Sequence, residues 1–206
     1  MTSICVVGPV ANASNLVSNG GFESVVPGIS VGTAPYFRYL YNGDSTTLPG
    51  WTIKDDGIGE PSYVYDMDGY QIGDGLNSLS INQGSSITTT IVLQLGQAYK
   101  FSMLMTNANP GWPPYSLDIT AGTVAHSFTL PSGSFPFHMV AFYFVATSTG
   151  SANLLIANNA SVGDYKNYVI DDVSVQAVRS VPGPMGIVTF GIGMVGALRR
   201  RSSNLR

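Results

Sequence analysis

Apolar and polar positions alternate through the middle of the chain with the two-residue period of β-strands. Between residues 14 and 178, no window of a dozen residues carries the 3.6-residue period of an amphipathic helix. Short runs of β-branched and aromatic residues recur between clusters of Gly, Pro, Asn and Asp, as in a chain of strands and turns. The pattern predicts an all-β, jelly-roll-like antiparallel β-sandwich. The best strands are Ser78–Asn82, Ser86–Leu95, Ala98–Thr106, Tyr115–Thr120, Thr123–Thr129, His138–Ser148, Ala152–Asn158 and Tyr168–Val178.

Three of these segments carry more specific expectations. The stretch Met139–Val145 is apolar at both odd and even positions, which predicts a central strand covered on both faces. The tight connection Leu95–Ala98 predicts a hairpin between the strands on either side. Alternation in the third predicted strand assigns four side chains to the core: Tyr99, Phe101, Met103 and Met105.

The amino-terminal segment, residues 1–13, has the pattern of a processed leader. The apolar run Ile4–Val10 is followed by Ala11-Asn12-Ala13, which fits the small-x-small rule for cleavage before Ser14. We interpret this segment as the remnant of a signal peptide that starts further upstream. The alternative is a surface strand with a chance Ala-x-Ala.

The carboxy-terminal segment, residues 179–206, differs from the body in charge and hydrophobicity. An uncharged run, Met185–Leu198, would span about 21 Å as a helix, short of the roughly 30 Å hydrocarbon core of a bilayer. It predicts a short hydrophobic helix that enters the inner membrane transiently, with the arginines on the cytoplasmic side. The alternative is a buried hairpin or core helix. The flanking residues are Val181, Pro182, Gly183 and Pro184 before the run and Arg199, Arg200 and Arg201 after it.

Charge and composition exclude several classes of function. Only 10% of residues are charged, and the formal net charge is −3, which excludes a basic nucleic-acid-binding protein. Counted by segment, the chain up to Arg179 carries −7 and the remainder +4. One cysteine, Cys5, and two histidines, His126 and His138, cannot build a disulfide framework or a Cys/His zinc site. The absence of a Gly-x-Ser-x-Gly motif argues against nucleophilic catalysis.

The tail resembles the PEP-CTERM sorting signal of Gram-negative bacteria that make extracellular polysaccharide. The resemblance rests on the order of three parts: the Val181–Pro184 motif, the glycine-rich apolar run and the arginine cluster. Gly183 stands where that motif has its glutamate. The resemblance implies an exported protein of the cell envelope or extracellular space, and an exosortase partner that cuts near the motif.

The body resembles the galactose-binding-like β-sandwich of carbohydrate-binding modules and the related secreted choice-of-anchor domains. Three segments carry the resemblance: Asn15–Glu23, Leu48–Trp51 and Ile170–Val175. The resemblance implies that Trp51 packs in the core, as the corresponding residue usually does in that family, many of whose members are known only as exported domains of unknown ligand. The resemblance implies the fold more strongly than the ligand.

Two aspartates near the end of the body suggest a metal site. Asp171 falls on the apolar parity of its strand, and a carboxylate that faces a core must be paired, hydrogen-bonded or bound to a metal. The resemblance implies a structural Ca²⁺ held by Glu23 with Asp171 or Asp172 and by backbone oxygen from residues 19–21. The alternative is a β-bulge in which both aspartates accept hydrogen bonds from backbone amides.

Aromatic residues in the loops are candidates for sugar contacts. Aromatic rings bind sugars by lying against their apolar C–H faces. Trp112 is flanked by prolines and glycine and is expected on a loop, either against a ligand or packed on the protein itself. The other candidates are Tyr63, Tyr65, Tyr70 and Tyr115. The acids of the same region are interpreted as solvated loop residues: Asp55, Asp56, Glu60, Asp66, Asp68 and Asp74.

Three functions remain open on the sequence. The leading hypothesis is an exported, non-catalytic protein associated with polysaccharide. The second is a structural or adhesion protein that self-associates through exposed strand edges. The third is a glycoside hydrolase or lyase, which would need two suitably spaced carboxylates.

Overall fold

β-strands are the regular secondary structure of the described part of the chain. The computed structural model describes residues 14–26, 37–55, 62–66, 73–107, 116–131, 136–160 and 167–178. Within these ranges no helix is long and apolar enough to cross a membrane. The leader remnant, the sorting motif, the apolar run and the arginine cluster lie outside the described residues. The strands are β1 Phe37–Leu40, β2 Thr52–Lys54, β3 Ser62–Asp66, β4 Asn77–Ile81, β5 Ser86–Leu93, β6 Ala98–Asn107, β7 Ser116–Ala121, β8 Val124–Thr129, β9 His138–Val145, β10 Gly150–Asn158 and β11 Tyr168–Ala177.

The strands form two antiparallel sheets. Sheet A has six strands in the order β1-β3-β4-β11-β6-β9, and sheet B has five in the order β2-β5-β10-β7-β8. The predicted all-β sandwich is confirmed, and all eight predicted strands are present. The sequence missed β1, β2 and β3. These strands are short, with four, three and five residues, so none carries enough alternation to be recognised alone.

The core lies between the sheets and follows the strand parity. The four β6 side chains assigned to the core are at most 3% exposed, so that prediction is confirmed. Trp51 is also buried and packs against Phe22, with ring centroids 5.7 Å apart. Sheet B contributes mainly branched aliphatic side chains, which pack closely on a pleated surface. These are Ile87, Ile91, Leu117, Ile119, Leu154 and Ile156.

The predicted β5–β6 hairpin is wrong. The connection is tight, with Gly96 at φ +76° and a hydrogen bond from the Gln97 amide to the Gln94 carbonyl at 3.0 Å. However, β5 pairs with β2 and β10 in sheet B, whereas β6 pairs with β11 and β9 in sheet A. The turn therefore carries the chain from one layer of the sandwich to the other.

The predicted central position of β9 is also wrong. β9 lies at the edge of sheet A, next to β6. Its even-numbered side chains Phe142 and Phe144 are buried, whereas Met139 and Tyr143 are 68% and 69% exposed. The apolar residues at odd positions face outward from the sandwich, and burial does not account for them.

Candidate functional site

The opening segment of the body runs beside β11 and brings the two ends of the domain together. The Leu16 amide donates to the Val175 carbonyl at 2.8 Å, and the Val173 amide donates to the Gly20 carbonyl at 2.9 Å. Asn15 accepts a hydrogen bond from the Val175 amide through its side-chain oxygen at 3.0 Å. Residues that are far apart in the sequence therefore meet at one place on sheet A.

Backbone distortion brings four carboxylates close enough for their charges to act on one another. The β11–β6 register shifts between Asp171 and Ser174, and Asp172 adopts φ +49°. Opposite this bulge, the opening segment turns with positive φ at Asn19 and Phe22, 52° and 56°. We call the resulting group the acidic junction. It consists of Glu23, Asp74, Asp171 and Asp172.

Asp171 is fully buried at the acidic junction and is bonded to backbone. One oxygen accepts a hydrogen bond from the Asp74 amide at 2.8 Å, and the other accepts one from the Asp172 amide at 2.7 Å. The expectation that it faces the core is wrong, because the core-facing residues before and after the bulge are Ile170 and Val173. Asp171 lies on the outer side of sheet A. There, a Cβ placed on Gly73 would come within 2.8 Å of its Cβ, so the chain around Gly73 covers it.

Glu23 ties the opening segment to the start of β4. Its Oε1 accepts hydrogen bonds from the amides of Leu76 and Asn77, at 2.8 and 3.1 Å. The Asn77 side chain reaches Oε2 at 3.4 Å. The carboxylate therefore connects two segments more than fifty residues apart.

Burial and like charge together raise the pKa values of the aspartates. Burial is the main cause that raises the pKa of Asp171 from 3.8 to about 7. The hydrogen bonds from the Asp74 and Asp172 amides oppose this effect, and the charges of Asp172 and Glu23 add to it. The pKa of Asp172 is raised by burial and by the charges of Asp74 and Glu23. Within the described ranges, no three His, Cys, Asp or Glu residues form a group arranged to hold a metal ion.

A second group of interest consists of tyrosines on the outer face of sheet A. Tyr39 of β1 lies opposite Tyr63 of β3, with ring centroids 6.1 Å apart and planes at 86°. Tyr41 extends the group, 6.4 Å from Tyr39, and is 46% exposed. We call these three residues the tyrosine cluster. The inward residues of the same strands, Leu40 and Val64, are fully buried, so the rings lie on the side of the sheet away from the core.

The outer face of sheet A is partly exposed at the tyrosine cluster and becomes buried toward the middle of the sheet. The row that starts at Tyr63 continues through Ser80, Val169 and Thr106, all of which are fully buried. Two of the three carry a hydroxyl group. The tyrosine cluster therefore lies at the margin of a covered, partly polar surface.

The sequence identified some of these residues and missed others. Tyr63 lies in the tyrosine cluster, and the backbone of Tyr65 pairs with that of Phe37. The side chain of Tyr65 and all of Tyr70, Trp112 and Tyr115 lie outside the described residues. Sequence reasoning missed Tyr39 and Tyr41, although the alternation Phe37, Tyr39, Tyr41 is a period-two signal. It counted Asp74 among solvated loop acids, and the Asp74 side chain is exposed as predicted; the backbone amide of Asp74 bonds to Asp171, and its charge acts on Asp172.

Comparisons with known proteins show the fold. No family model matches the chain, and no curated protein matches it. A solved structure of TmCBM61 in complex with β-1,4-galactotriose superposes with a TM-score of 0.53 at 13% identity, covering 81% of this chain and 100% of that one. This chain has the β-sandwich fold of a carbohydrate-binding module.

A second solved structure contains the same sandwich within a larger enzyme. The arabinose-bound MgGH51 α-L-arabinofuranosidase superposes with a TM-score of 0.54 at 13% identity over 82% of this chain. The match covers only 27% of the arabinofuranosidase, so this chain spans about a quarter of that protein. At this level of identity, both likenesses concern the fold alone.

Proposed function

We propose that this chain is a non-catalytic protein that binds polysaccharide at the tyrosine cluster. The observation that carries the proposal is the meeting of three tyrosine rings on the outer face of sheet A, one of them nearly half exposed. Tyrosine offers an apolar ring and a hydroxyl group, which suits a sugar with C–H faces and hydroxyl groups. The module with the same fold was solved with a galactotriose, which supports a sugar as the class of ligand.

Binding fits the described carboxylates better than glycoside hydrolysis does. A glycosidase needs a general acid within reach of the glycosidic oxygen and a second carboxylate nearby. At the acidic junction, the carboxyl group whose pKa is raised to about 7, as a general acid requires, is that of Asp171. Asp171 is fully buried and bonded to two amides. Glu23 is likewise bonded to two amides. Carboxylates held in this way stabilise the fold and are poorly placed for proton transfer to a sugar.

A structural Ca²⁺ at the acidic junction is part of the proposal. Its donors are all oxygen atoms, which Ca²⁺ prefers, and a cation would offset the mutual repulsion that raises the aspartate pKa values. The Asn19 carbonyl accepts from Trp51 Nε1 at 3.0 Å and the Gly20 carbonyl accepts from the Val173 amide. The backbone ligand of this turn would therefore be Gly21, together with Glu23 and an aspartate of the bulge.

Export and sorting complete the proposal. The small-x-small site before Ser14 and the three-part tail support secretion across the inner membrane of a Gram-negative bacterium and processing by an exosortase. Intact-mass analysis of the protein recovered from its native envelope tests this step. We expect a chain without residues 1–13 and without Arg199–Arg206, and an intact tail would contradict the sorting part alone.

The binding site is tested by titrating the full chain with β-1,4-linked galactan and other plant and bacterial polysaccharides. Substitution Tyr63→Ala removes a ring and is expected to weaken binding about tenfold or more, whereas Tyr63→Phe keeps the ring and most of the affinity. Trp112→Ala measures the contribution of the loop candidate. Leu95→Ala is the control, because Leu95 is exposed on the β5–β6 turn, outside the tyrosine cluster. Absence of binding to every polysaccharide would reject the proposed function, and equal binding by all variants would move the site elsewhere.

A further inference from the structure

β9 differs from the edge strands β1 and β2, and it is longer than β8, the uncharged six-residue strand at the other edge of sheet B. At the opposite edge of sheet A, β1 has four residues and includes Arg38, and the β2 edge of sheet B has three residues and includes Lys54. β9 has eight residues, His138–Val145, with no lysine, arginine, acid, glycine or proline. Short length, charge and proline are the usual means by which proteins prevent edge strands from pairing. β9 has none of these protections.

The backbone polarity of β9 follows from its last hydrogen bonds. The Ala146 amide donates to the Gln97 carbonyl at 3.0 Å, and the Ala146 carbonyl accepts from the Gly96 amide at 2.9 Å. Residue 146 therefore points both groups toward the β6 side. Backbone N–H and C=O groups of successive residues point to opposite sides of an antiparallel strand. The even-numbered residues of β9 therefore bond to β6, and the backbone groups of the odd-numbered residues point to the open edge. The hydrogen bond from the Val178 amide to the Ala98 carbonyl supports this assignment. It shows that the backbone groups of Ala98 point toward β11 and away from Val145, the residue that lies opposite Ala98 on β9.

The residues that present open backbone groups also present exposed apolar side chains. Met139, Tyr143 and Val145 are 68%, 69% and 54% exposed, and Ala141 between them is exposed as well. We call these four residues the β9 stripe. A strand added at this edge would gain backbone hydrogen bonds and apolar contact from the same residues.

Strand β8 of sheet B approaches β9 only through side chains. The His126 ring stacks on Phe142, with centroids 4.9 Å apart and planes at 16°. Phe142 belongs to the inward face of β9, so this contact leaves the outward face and the backbone edge accessible. Among the described strands, β6 is the one that forms a ladder with β9.

We propose that β9 pairs antiparallel with β9 of a second copy of this chain, about a two-fold axis at Phe142. This register places Met139 opposite Val145 of the second copy and Ala141 opposite Tyr143 of the second copy. It brings all four residues of the β9 stripe into hydrogen-bonded pairs, each of which exchanges two backbone bonds. Because the two-fold axis brings residues next to Phe142 close to their own copies, a charge there would repel its equivalent, and an uncharged strand avoids that repulsion. An uncharged strand is therefore suited to pairing with itself.

The pairing would be weak and would respond to concentration. One strand pair buries less than the roughly 800 Å² per partner of a standard stable interface. The tyrosine cluster lies at the opposite margin of sheet A, so both copies keep it exposed. Two binding surfaces per dimer would raise the avidity for a repeating polymer. The pairing itself does not depend on the proposed carbohydrate function.

Sedimentation velocity of the full chain, from micromolar to millimolar concentration, tests the proposal. Val145→Lys and Val92→Lys form a matched pair, because both valines lie on strands and are 54% and 61% exposed. Because a lysine on an edge strand opposes pairing, and the symmetry introduces one at each end of the interface, we expect Val145→Lys to raise the dimer dissociation constant at least about tenfold. Val92→Lys, on sheet B, should leave it unchanged.

A charge pair tests the register. Tyr143→Lys and Ala141→Glu should each weaken the dimer, and the double variant should restore it, because the register places each lysine opposite a glutamate of the other copy. Circular dichroism confirms that each variant is folded. A chain that stays monomeric at millimolar concentration overturns the proposal. Association that Tyr143→Lys and Val145→Lys leave intact also overturns it, and assigns the contact to another part such as the apolar run 185–198.

Discussion

The acidic junction and the tyrosine cluster both belong to the outer side of sheet A, but they differ in how their side chains are held. At the junction, Asp171 is fully buried and Glu23 and Asp171 each accept two backbone hydrogen bonds. In the cluster, rings contact one another and stay partly exposed, as Tyr41 shows at 46%. One region joins the ends of the domain, and the other presents surface to the surroundings.

This difference separates two kinds of role within one sheet. Buried polar groups that are fully bonded fix a structure, and their removal leaves unpaired donors inside the protein. Partly exposed rings add less to stability and remain available to a ligand. Substitutions at the junction should therefore lower stability first, and substitutions in the cluster should lower affinity first.

The largest expected effect is that of Gly20→Ala at the turn beside the junction. An added Cβ would lie 2.0 Å from the Val173 carbonyl oxygen, and the Gly20 carbonyl already holds the Val173 amide. We expect the free energy of unfolding in urea to fall by at least about 4 kcal/mol. Gly43→Ala is the control, because Gly43 has φ +82° but no atom within 4 Å, and should cost about 1 kcal/mol. Equal losses of unfolding free energy in the two variants would show that the close approach of Gly20 to Val173 does not stabilise the junction.

The next effect is the pH dependence that Asp171 imposes in the presence of a chelator. Its pKa is raised from 3.8 to about 7, so between these values the folded protein keeps a proton that the unfolded chain releases. The free energy of unfolding should therefore fall as pH rises through this window and level off above it, by at most about 4 kcal/mol in all. Asp171→Asn should flatten the curve. An unchanged slope in this variant would assign the dependence to other groups.

Addition of Ca²⁺ to the chelated protein should reverse part of that loss. At free Ca²⁺ about one hundred times the dissociation constant, a site present only in the folded state adds about 2.7 kcal/mol. The melting temperature should rise with Ca²⁺ in the wild type and less in Glu23→Gln. Asp118→Asn serves as the control, because Asp118 lies on β7 and is bonded by the Ser127 hydroxyl and the Asn159 amide. A melting temperature that is insensitive to Ca²⁺ would remove the ion from the proposal.

The smallest expected effect on stability is that of Tyr63→Ala in the tyrosine cluster. The ring is half-buried and makes an edge contact with Tyr39, so we expect a loss of about 1 kcal/mol in urea unfolding. The same variant should lose most of its affinity for polysaccharide. A loss of stability as large as that of Gly20→Ala would place the cluster with the junction as a structural element.

Sequence-based prediction worked well for strands in which one face is buried in the core and the other face is more exposed. The alternation of β6 correctly identified its core residues, because its inward residues are buried and most of its outward residues are only half-buried. β9 was misread because exposed apolar residues at an edge have the same pattern as a strand buried on both faces. The β5–β6 turn was misread because a tight turn can join two sheets as well as two neighbours. The hydrogen bond from the Asp74 amide to Asp171 was missed because the two residues are 97 positions apart, and only the folded chain brings them together.

The position of β11 in sheet A determines how the domain would bear mechanical load. The chain leaves the described domain at Val178, directly after β11, and β11 lies inside the sheet, with β4 on one side and β6 on the other. Tension applied at that end acts along the strand, so it must shear the ladders on both sides together. A terminal strand at a sheet edge could instead be peeled away one bond at a time. A domain tethered by its carboxy-terminal end would therefore resist extension at a strand that is paired on both sides.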